Sequence, residues 1–275
     1  MTQAKVTLPV LRDMKARREP ITWLTAYDYP TAQAMDQSGI DMILVGDSLG
    51  MTVLGYETTL PVTMDEMVVF TGAVSRAVKR AFVVGDMPFM SYQAEPAEAI
   101  RNAGRLLAQG GADAVKLEGG ARLAHVVEAI TNAGIPVFGH IGLTPQSASQ
   151  LGGYRAQART EETARRLVED ARALERAGAV ALLVECVPPD ACRLVHEALE
   201  IPILGLGSGL DCDGQLLIVH DMLGMFDRFT PKFVKKYASL GEEMRTAFTA
   251  YREEVKSGAF PTAAHTYSMA QESAG

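Results

Sequence analysis

Four acidic side chains, one lysine and one histidine stand where short apolar runs end. Gly46-Asp47-Ser48, Gly85-Asp86, Lys116-Leu117-Glu118, His140 and Glu185 each follow or close such a run. A single acid in such a place often caps the next helix. Four acids gathered in one cavity repel one another and stay ionised at neutral pH only with a cation to offset them. Oxygen ligands without cysteine select a hard ion, and a site with few carboxylates and room for water and a chelating substrate suits Mg2+ better than zinc. Such an ion can take a small 2-oxo acid through its carboxylate and ketone oxygens and act as a Lewis acid for the enolate left by proton abstraction.

A base must then take the proton. Glu185 is the candidate, because it follows the apolar run 179–184, where burial would raise its pKa toward a useful value. Lys116 shares a strand face with Glu118, two residues on, and its ammonium can hold oxygen charge on the substrate or pair with a neighbouring carboxylate. His140 can hydrogen-bond the substrate, act as a second acid or base, or make a structural hydrogen bond. Gly205-Leu206-Gly207-Ser208-Gly209 reads either as an anion cradle or as a tight turn. His125 and His196 fall in helix patterns and are expected to be solvated, and Asp213-Gly214 is a turn signal.

These residues need a scaffold that brings strand ends together. Eight candidate strands occur at 21–26, 42–46, 82–85, 114–117, 136–139, 180–184, 201–205 and 216–220. Helical spacing of apolar residues fills 64–80, 96–109, 122–132, 161–177 and 191–199 between them. Strands alternating with helices imply a parallel sheet, and eight of them imply closure into a single (β/α)8, or TIM, barrel over residues 1–275. The C-terminal ends of the strands then meet on one face, which in barrel enzymes carries the active site. Gly39, Gly111, Gly134 and Gly178 read as helix caps on the opposite face. Two longer connections, 49–62 and 143–159, emerge on the active face. A last helix is expected over 231–256, packed on the barrel through Phe233, Tyr237, Leu240, Met244 and Phe248.

Composition narrows the partners. A net charge of −7 with no basic stripe argues against nucleic acid. No stretch approaches the length of a membrane span and the first residues carry no apolar signal region, so a soluble cytoplasmic protein is expected. Cys186, Cys192 and Cys212 lack C-x-x-C spacing and read as reduced thiols.

Several motifs in order carry a resemblance. They are Leu24-Thr-Ala-Tyr-Asp-Tyr-Pro30, Val45-Gly-Asp-Ser-Leu-Gly-Met51, Gly85-Asp-Met-Pro-Phe-Met90, Val115-Lys-Leu-Glu-Gly-Gly120, Gly139-His-Ile-Gly-Leu-Thr-Pro-Gln146 and Glu185-Cys-Val-Pro188. Together they resemble the ketopantoate hydroxymethyltransferases, barrels of the phosphoenolpyruvate/pyruvate type. The resemblance implies transfer of a one-carbon unit from 5,10-methylenetetrahydrofolate to 3-methyl-2-oxobutanoate, giving 2-dehydropantoate in the first committed step of pantothenate synthesis. It also implies Asp47, Asp86 and Glu118 around Mg2+, some through water. Asp47, Ser48, Asp86, Lys116 and His140 would surround the oxo acid, with Glu185 removing the C3 proton. The role of His140 stays open, and the implied assembly is a homodecamer.

The chain departs from the family pattern at Gly207-Ser208-Gly209, where Gly-Ala-Gly is usual, in the following Leu210-Asp211-Cys212, and at Ala264-His265-Thr266-Tyr267. These changes bear on the folate side and on subunit contacts rather than on the chemical step. A rival, the phosphoenolpyruvate mutase and isocitrate lyase type, carries a catalytic cysteine loop after strand four; here Gly119-Gly120-Ala121-Arg122 takes its place. A catalytically silent barrel would have lost the base or a ligand, and all are present.

Overall fold

The computed structural model describes residues 4–269. Its strands are β1 (Ile21–Thr25), β2 (Met42–Val45), β3 (Phe82–Asp86), β4 (Ala114–Glu118), β5 (Val137–Gly142), β6 (Ala181–Glu185), β7 (Ile203–Leu206) and β8 (Gly214–Leu217). They pair in parallel in chain order, and β1 also pairs with β8, so the barrel is closed. The helices are α1 (Leu8–Arg17), α2 (Tyr29–Gln37), α3 (Leu49–Thr52), α4 (Met64–Ala77), α5 (Pro96–Ala108), α6 (Ala124–Asn132), α7 (Ala148–Leu151), α8 (Glu161–Arg176), α9 (Pro189–Ala198), α10 (Val219–Met222) and α11 (Leu240–Ser257). None is long and apolar enough among the described residues to cross a membrane.

The residues fall into two compact units, 4–219 with 231–234 and 220–230 with 235–269. The first holds the barrel. The strands β2 to β7 bury nearly every residue, which is why they read as almost unbroken apolar runs, whereas β1 and β8 each expose a polar residue, Thr22 and Gln215. Alternate residues point inward: Met42 and Leu44, Phe82 and Val84, Ala181 and Leu183 form one core with Trp23 and Phe138, whose rings stand 5.7 Å apart. Val6, Leu11 and Met14 join that core from α1 and the residues before it, so the charged opening of the chain hides an apolar contribution.

Carboxylates fasten the strand starts. Asp41 accepts from the Thr22 N–H, Asp113 from the Val83 N–H and Asp213 from the Ile203 N–H. Asp213 also takes Lys15 Nζ at 3.0 Å and lies 2.8 Å from His196 Nε2, so His196 is half-buried and paired rather than solvated. The Asp213-Gly214 pair does not form a turn between elements: Gly214 opens β8, where a Cβ would meet Ile21 O at 2.2 Å. Strand eight therefore begins two residues before the expected position, and Val219 already belongs to α10.

The helix expected over 64–80 stops at Ala77, because the Asp36 carboxylate accepts the backbone N–H groups of Lys79, Arg80 and Ala81. Partial burial pushes the Asp36 pKa up, but the three N–H donors outweigh it and hold the group below the usual 3.8. A lowered folded pKa means that its stabilisation is complete above the unfolded value and is lost as pH falls through the folded one. Asp36→Ala is expected to cost about 2 kcal/mol in urea unfolding at pH 7, the scale of charged hydrogen bonds. The gap from the parent should narrow below pH 3.8; an equal gap at all pH values would remove the role assigned to its charge.

In the second unit α11 begins at Leu240 rather than 231, capped at its end by Gly258 with φ 76°. None of its residues is buried, and Met244, Phe248 and Tyr251 are exposed. Phe233, the first of the expected stripe, belongs to the barrel unit and packs against its core.

Candidate active site

The inward-facing stripe changes character near the strand ends. On β3 it runs Phe82, Val84, Asp86; on β4, Ala114, Lys116, Glu118; on β5, Phe138, His140; and on β6, Ala181, Leu183, Glu185. Register sets neighbours: Asp86 is paired with Lys116, Glu118 with His140, and Gly142 with Glu185. The strand period of two thus lays a row of ionisable groups on top of an apolar core. Gly142 has to be glycine, with φ 92° and a Cβ position only 2.3 Å from Glu185 O. Directly after Glu185 the chain turns sharply through Cys186, at φ 48°.

The row is tightly bonded. Lys116 Nζ donates to Asp86 Oδ1 at 2.7 Å and lies 3.5 Å from Glu118 Oε1. Asp86 Oδ2 accepts the Asp47 N–H at 3.1 Å, which draws the end of β2 into the same cavity. His140 Nδ1 stands 3.3 Å from Glu118 Oε1 and Nε2 3.1 Å from Glu185 Oε2, close enough for attraction although neither approach has hydrogen-bond alignment. Ser48 is half-buried, with Oγ 2.8 Å from Tyr27 Oη. All the residues singled out for the site are therefore in one place, at the C-terminal ends of β2 to β6.

Burial makes these charges interact strongly. It pushes the Asp47 carboxyl well up, and the neighbouring Asp86 and Glu118 push it further. Burial and Glu118 also raise Asp86 against the pull of Lys116. Glu118 goes the other way: burial opposes its charge, but Lys116, His140 and the Gln146 N–H lower it. Burial works against the Lys116 ammonium too, yet Asp86, Glu118 and Asp47 hold it charged. For His140, burial and Lys116 disfavour the proton, and the carboxylates on either side outweigh them, giving about 9.

Asp47, Asp86 and Glu118 are all buried and face one ammonium, which leaves two negative charges that a divalent cation would balance. This donor set fits a hard ion. Among the described residues no three His, Cys, Asp or Glu side chains converge as in a fully protein-chelated site. Both Glu118 oxygens already have partners, Oε1 facing Lys116 and His140 and Oε2 accepting the Gln146 N–H at 2.9 Å.

Three residues of the site escaped the sequence reading: Gln146, Tyr92 and Tyr27. Gln146 arrives on the connection after β5, whose position on the active face was expected, but neither its side chain nor that of Tyr92 carries a local signal of a site. In the glycine-rich loop after β7, Ser208 is fully buried and donates to Val184 O at 2.7 Å. A Cβ at Gly207 would meet the Phe233 ring at 2.6 Å.

Comparison with known proteins agrees with this architecture. The chain resembles phosphoenolpyruvate phosphomutase from Streptomyces platensis subsp. rosaceus, with a TM-score of 0.59 at 15% identity over 90% of this chain and 88% of that one. It also resembles 2,3-dimethylmalate lyase, a member of the PEP mutase/isocitrate lyase superfamily, with a TM-score of 0.60 at 16% identity over 94% and 91%. At such identities these likenesses speak for the fold alone. The sequence is much closer to the 3-methyl-2-oxobutanoate hydroxymethyltransferase of Moorella thermoacetica, 57% identical over 96% of this chain and 98% of the relative. That of Syntrophus aciditrophicus is 54% identical over 96% and 97%. The family profile described as ketopantoate hydroxymethyltransferase matches residues 5–263. With nearly the whole length matched both by the profile and by these relatives, the chain belongs to the ketopantoate hydroxymethyltransferase family.

Proposed function

We propose that the protein transfers a hydroxymethyl group from 5,10-methylenetetrahydrofolate to 3-methyl-2-oxobutanoate, consuming one water and giving 2-dehydropantoate and tetrahydrofolate, the first committed step of pantothenate biosynthesis. The observation that carries this reading is the unbroken row of ionisable groups from Asp86 to Glu185 across four adjacent strands, in a chain of this family.

Asp47, Asp86 and Glu118 would hold Mg2+, some of them through water, since the oxygens of Asp86 and Glu118 already have protein partners. When bound, Mg2+ supplies Lewis acidity toward the 2-oxo group. Lys116, kept charged by its acidic neighbours, offsets negative charge developing on the substrate oxygen. Ser48, steadied by Tyr27, orients the substrate as a hydroxyl donor. Glu185 takes the C3 proton, and His140 beside it holds that carboxylate in place. The enolate carbon then attacks the one-carbon unit, delivered as the folate methylene or as an iminium or formaldehyde derived from it, and water supplies the hydroxyl oxygen.

This reading places one catalytic domain on each chain, in the cytoplasm, within the homo-oligomer, a decamer, that the family resemblance implies. The exposed apolar side chains of α11 support a protein partner for that helix. Purified protein given Mg2+ and both substrates is expected to form 2-dehydropantoate and tetrahydrofolate in equal amounts by mass spectrometry, with EDTA stopping the reaction and Mg2+ restoring it. A folded, metal-loaded protein that forms neither product would sink the assignment.

A further inference from the structure

Gln146 is 6% exposed and touches two of the acidic strand ends at once. Its Nε2 donates to Asp47 Oδ2 at 2.9 Å and to Met87 O at 3.0 Å, while its backbone N–H donates to Glu118 Oε2 at 2.9 Å. The orientation of the carboxamide is unambiguous: Met87 O can only accept, so the nitrogen end must face it. The oxygen end then receives Tyr92 Oη at 2.7 Å and Gln93 Nε2 at 3.2 Å. Tyr92 Oη itself accepts the Glu118 N–H at 3.1 Å and lies 3.2 Å from Glu118 O, so its single proton goes to the shorter contact, Gln146.

Both protons of the amide and both lone pairs of its oxygen are thereby used, which locks a neutral side chain among buried carboxylates. A lysine in this position would aim the carboxylates and also cancel their charge. A carboxamide aims them and leaves the charge available. Among the described residues, Gln146 makes the hydrogen bond that orients the Asp47 carboxylate.

We propose that Gln146 is a positioning residue for the cation site, fixing the rotation of Asp47 and Glu118 as ligand carboxylates, and that Tyr92 acts through it by setting the sense of the carboxamide. The assignment rests on the Mg2+ reading above, and it concerns how the ligands are held rather than the reaction itself.

The test uses Mn2+ as a spectroscopic stand-in for Mg2+, titrated into the full-length protein without substrate and followed by the electron paramagnetic resonance signal of the free ion. Gln146→Met, similar in length but without donors, is expected to bind Mn2+ about 10- to 100-fold more weakly, the usual effect of losing a partner behind a metal ligand. Its kcat should return toward the parent value at saturating Mg2+. Tyr92→Phe should weaken Mn2+ less, and the double variant should fall short of additivity, because part of the Tyr92 effect runs through the Gln146 amide while its contact with the Glu118 N–H acts apart from it.

A folded Gln146→Met that binds Mn2+ like the parent overturns the proposal, as does full additivity in the double variant. Should Gln146→Met fail to fold, Gln146→Asn, which keeps the carboxamide but is too short to keep its reach to Asp47, decides: weakened binding supports the proposal and parental binding overturns it. A parent that binds no Mn2+ removes the metal reading and this assignment together, whereas a binding parent with unchanged variants removes this assignment alone.

Discussion

Glu185→Gln is expected to abolish exchange of the C3 proton of 3-methyl-2-oxobutanoate in D2O, followed by proton NMR with Mg2+ and no folate. The substitution keeps the shape of a side chain at the end of β6 and removes only its ability to accept a proton. Glu185 is 9% exposed, next to His140 Nε2 and separated from Glu118 by the single strand β5. Loss of a positioned general base typically costs about 10²- to 10⁴-fold, so residual exchange should fall near the limit of detection. Mn2+ binding should stay at the parent level, since the ion is assigned to Asp47, Asp86 and Glu118. Exchange at the parent rate would exclude Glu185 as the base. Silence of the parent itself, with tetrahydrofolate added, would instead exclude this oxo acid as the substrate.

The positions of the site residues were legible because two strong local rules act together. Buried parallel strands are continuous apolar runs, and the first charged residue on the inward parity marks where the core ends. Asp86, Lys116, Glu118, His140 and Glu185 obey both rules, so sequence alone could gather them at one end of a barrel. β8 was placed two residues late because its start, Asp213-Gly214, has the residue types of a turn. What makes it a strand is pairing with Ile21 and the bonds of Asp213 to Ile203 and Lys15, which are distant in sequence. α4 was overextended for a similar reason, since helix propensity at 78–80 loses to the carboxylate of Asp36, more than forty residues away. Gln146, although it closes one of the motifs, and Tyr92 had no role assigned, because a glutamine or tyrosine in a loop gains its meaning only from the partners the fold supplies. At α11 the helical spacing of apolar residues was legible, and Met244 and Phe248 on it are exposed.

Lys116→Met should have the largest effect on stability of any single change at the site. The methionine fills nearly the same volume, but Asp86 Oδ1 loses a 2.7 Å partner and Glu118 loses the ammonium 3.5 Å away, both fully inside the barrel. Breaking a buried ion pair from one side typically costs about 3–5 kcal/mol, because the remaining charge stays buried without compensation. Denaturant melts of the EDTA-treated variant should show that loss against the parent. Added Mg2+ should then stabilise the variant through ligand linkage, as binding to the folded form alone raises stability with the logarithm of ion concentration. The ion restores positive charge near Asp86 and Glu118 but does not restore a donor at the substrate oxygen. Turnover should therefore stay low by about 10²- to 10³-fold at saturating Mg2+, the scale set by losing a donor aimed at developing oxyanion charge. The two readouts separate the two roles of one ammonium. Parental stability in EDTA would mean that the carboxylates relax without it, and full turnover at saturating Mg2+ would mean that Lys116 serves the fold and not the reaction.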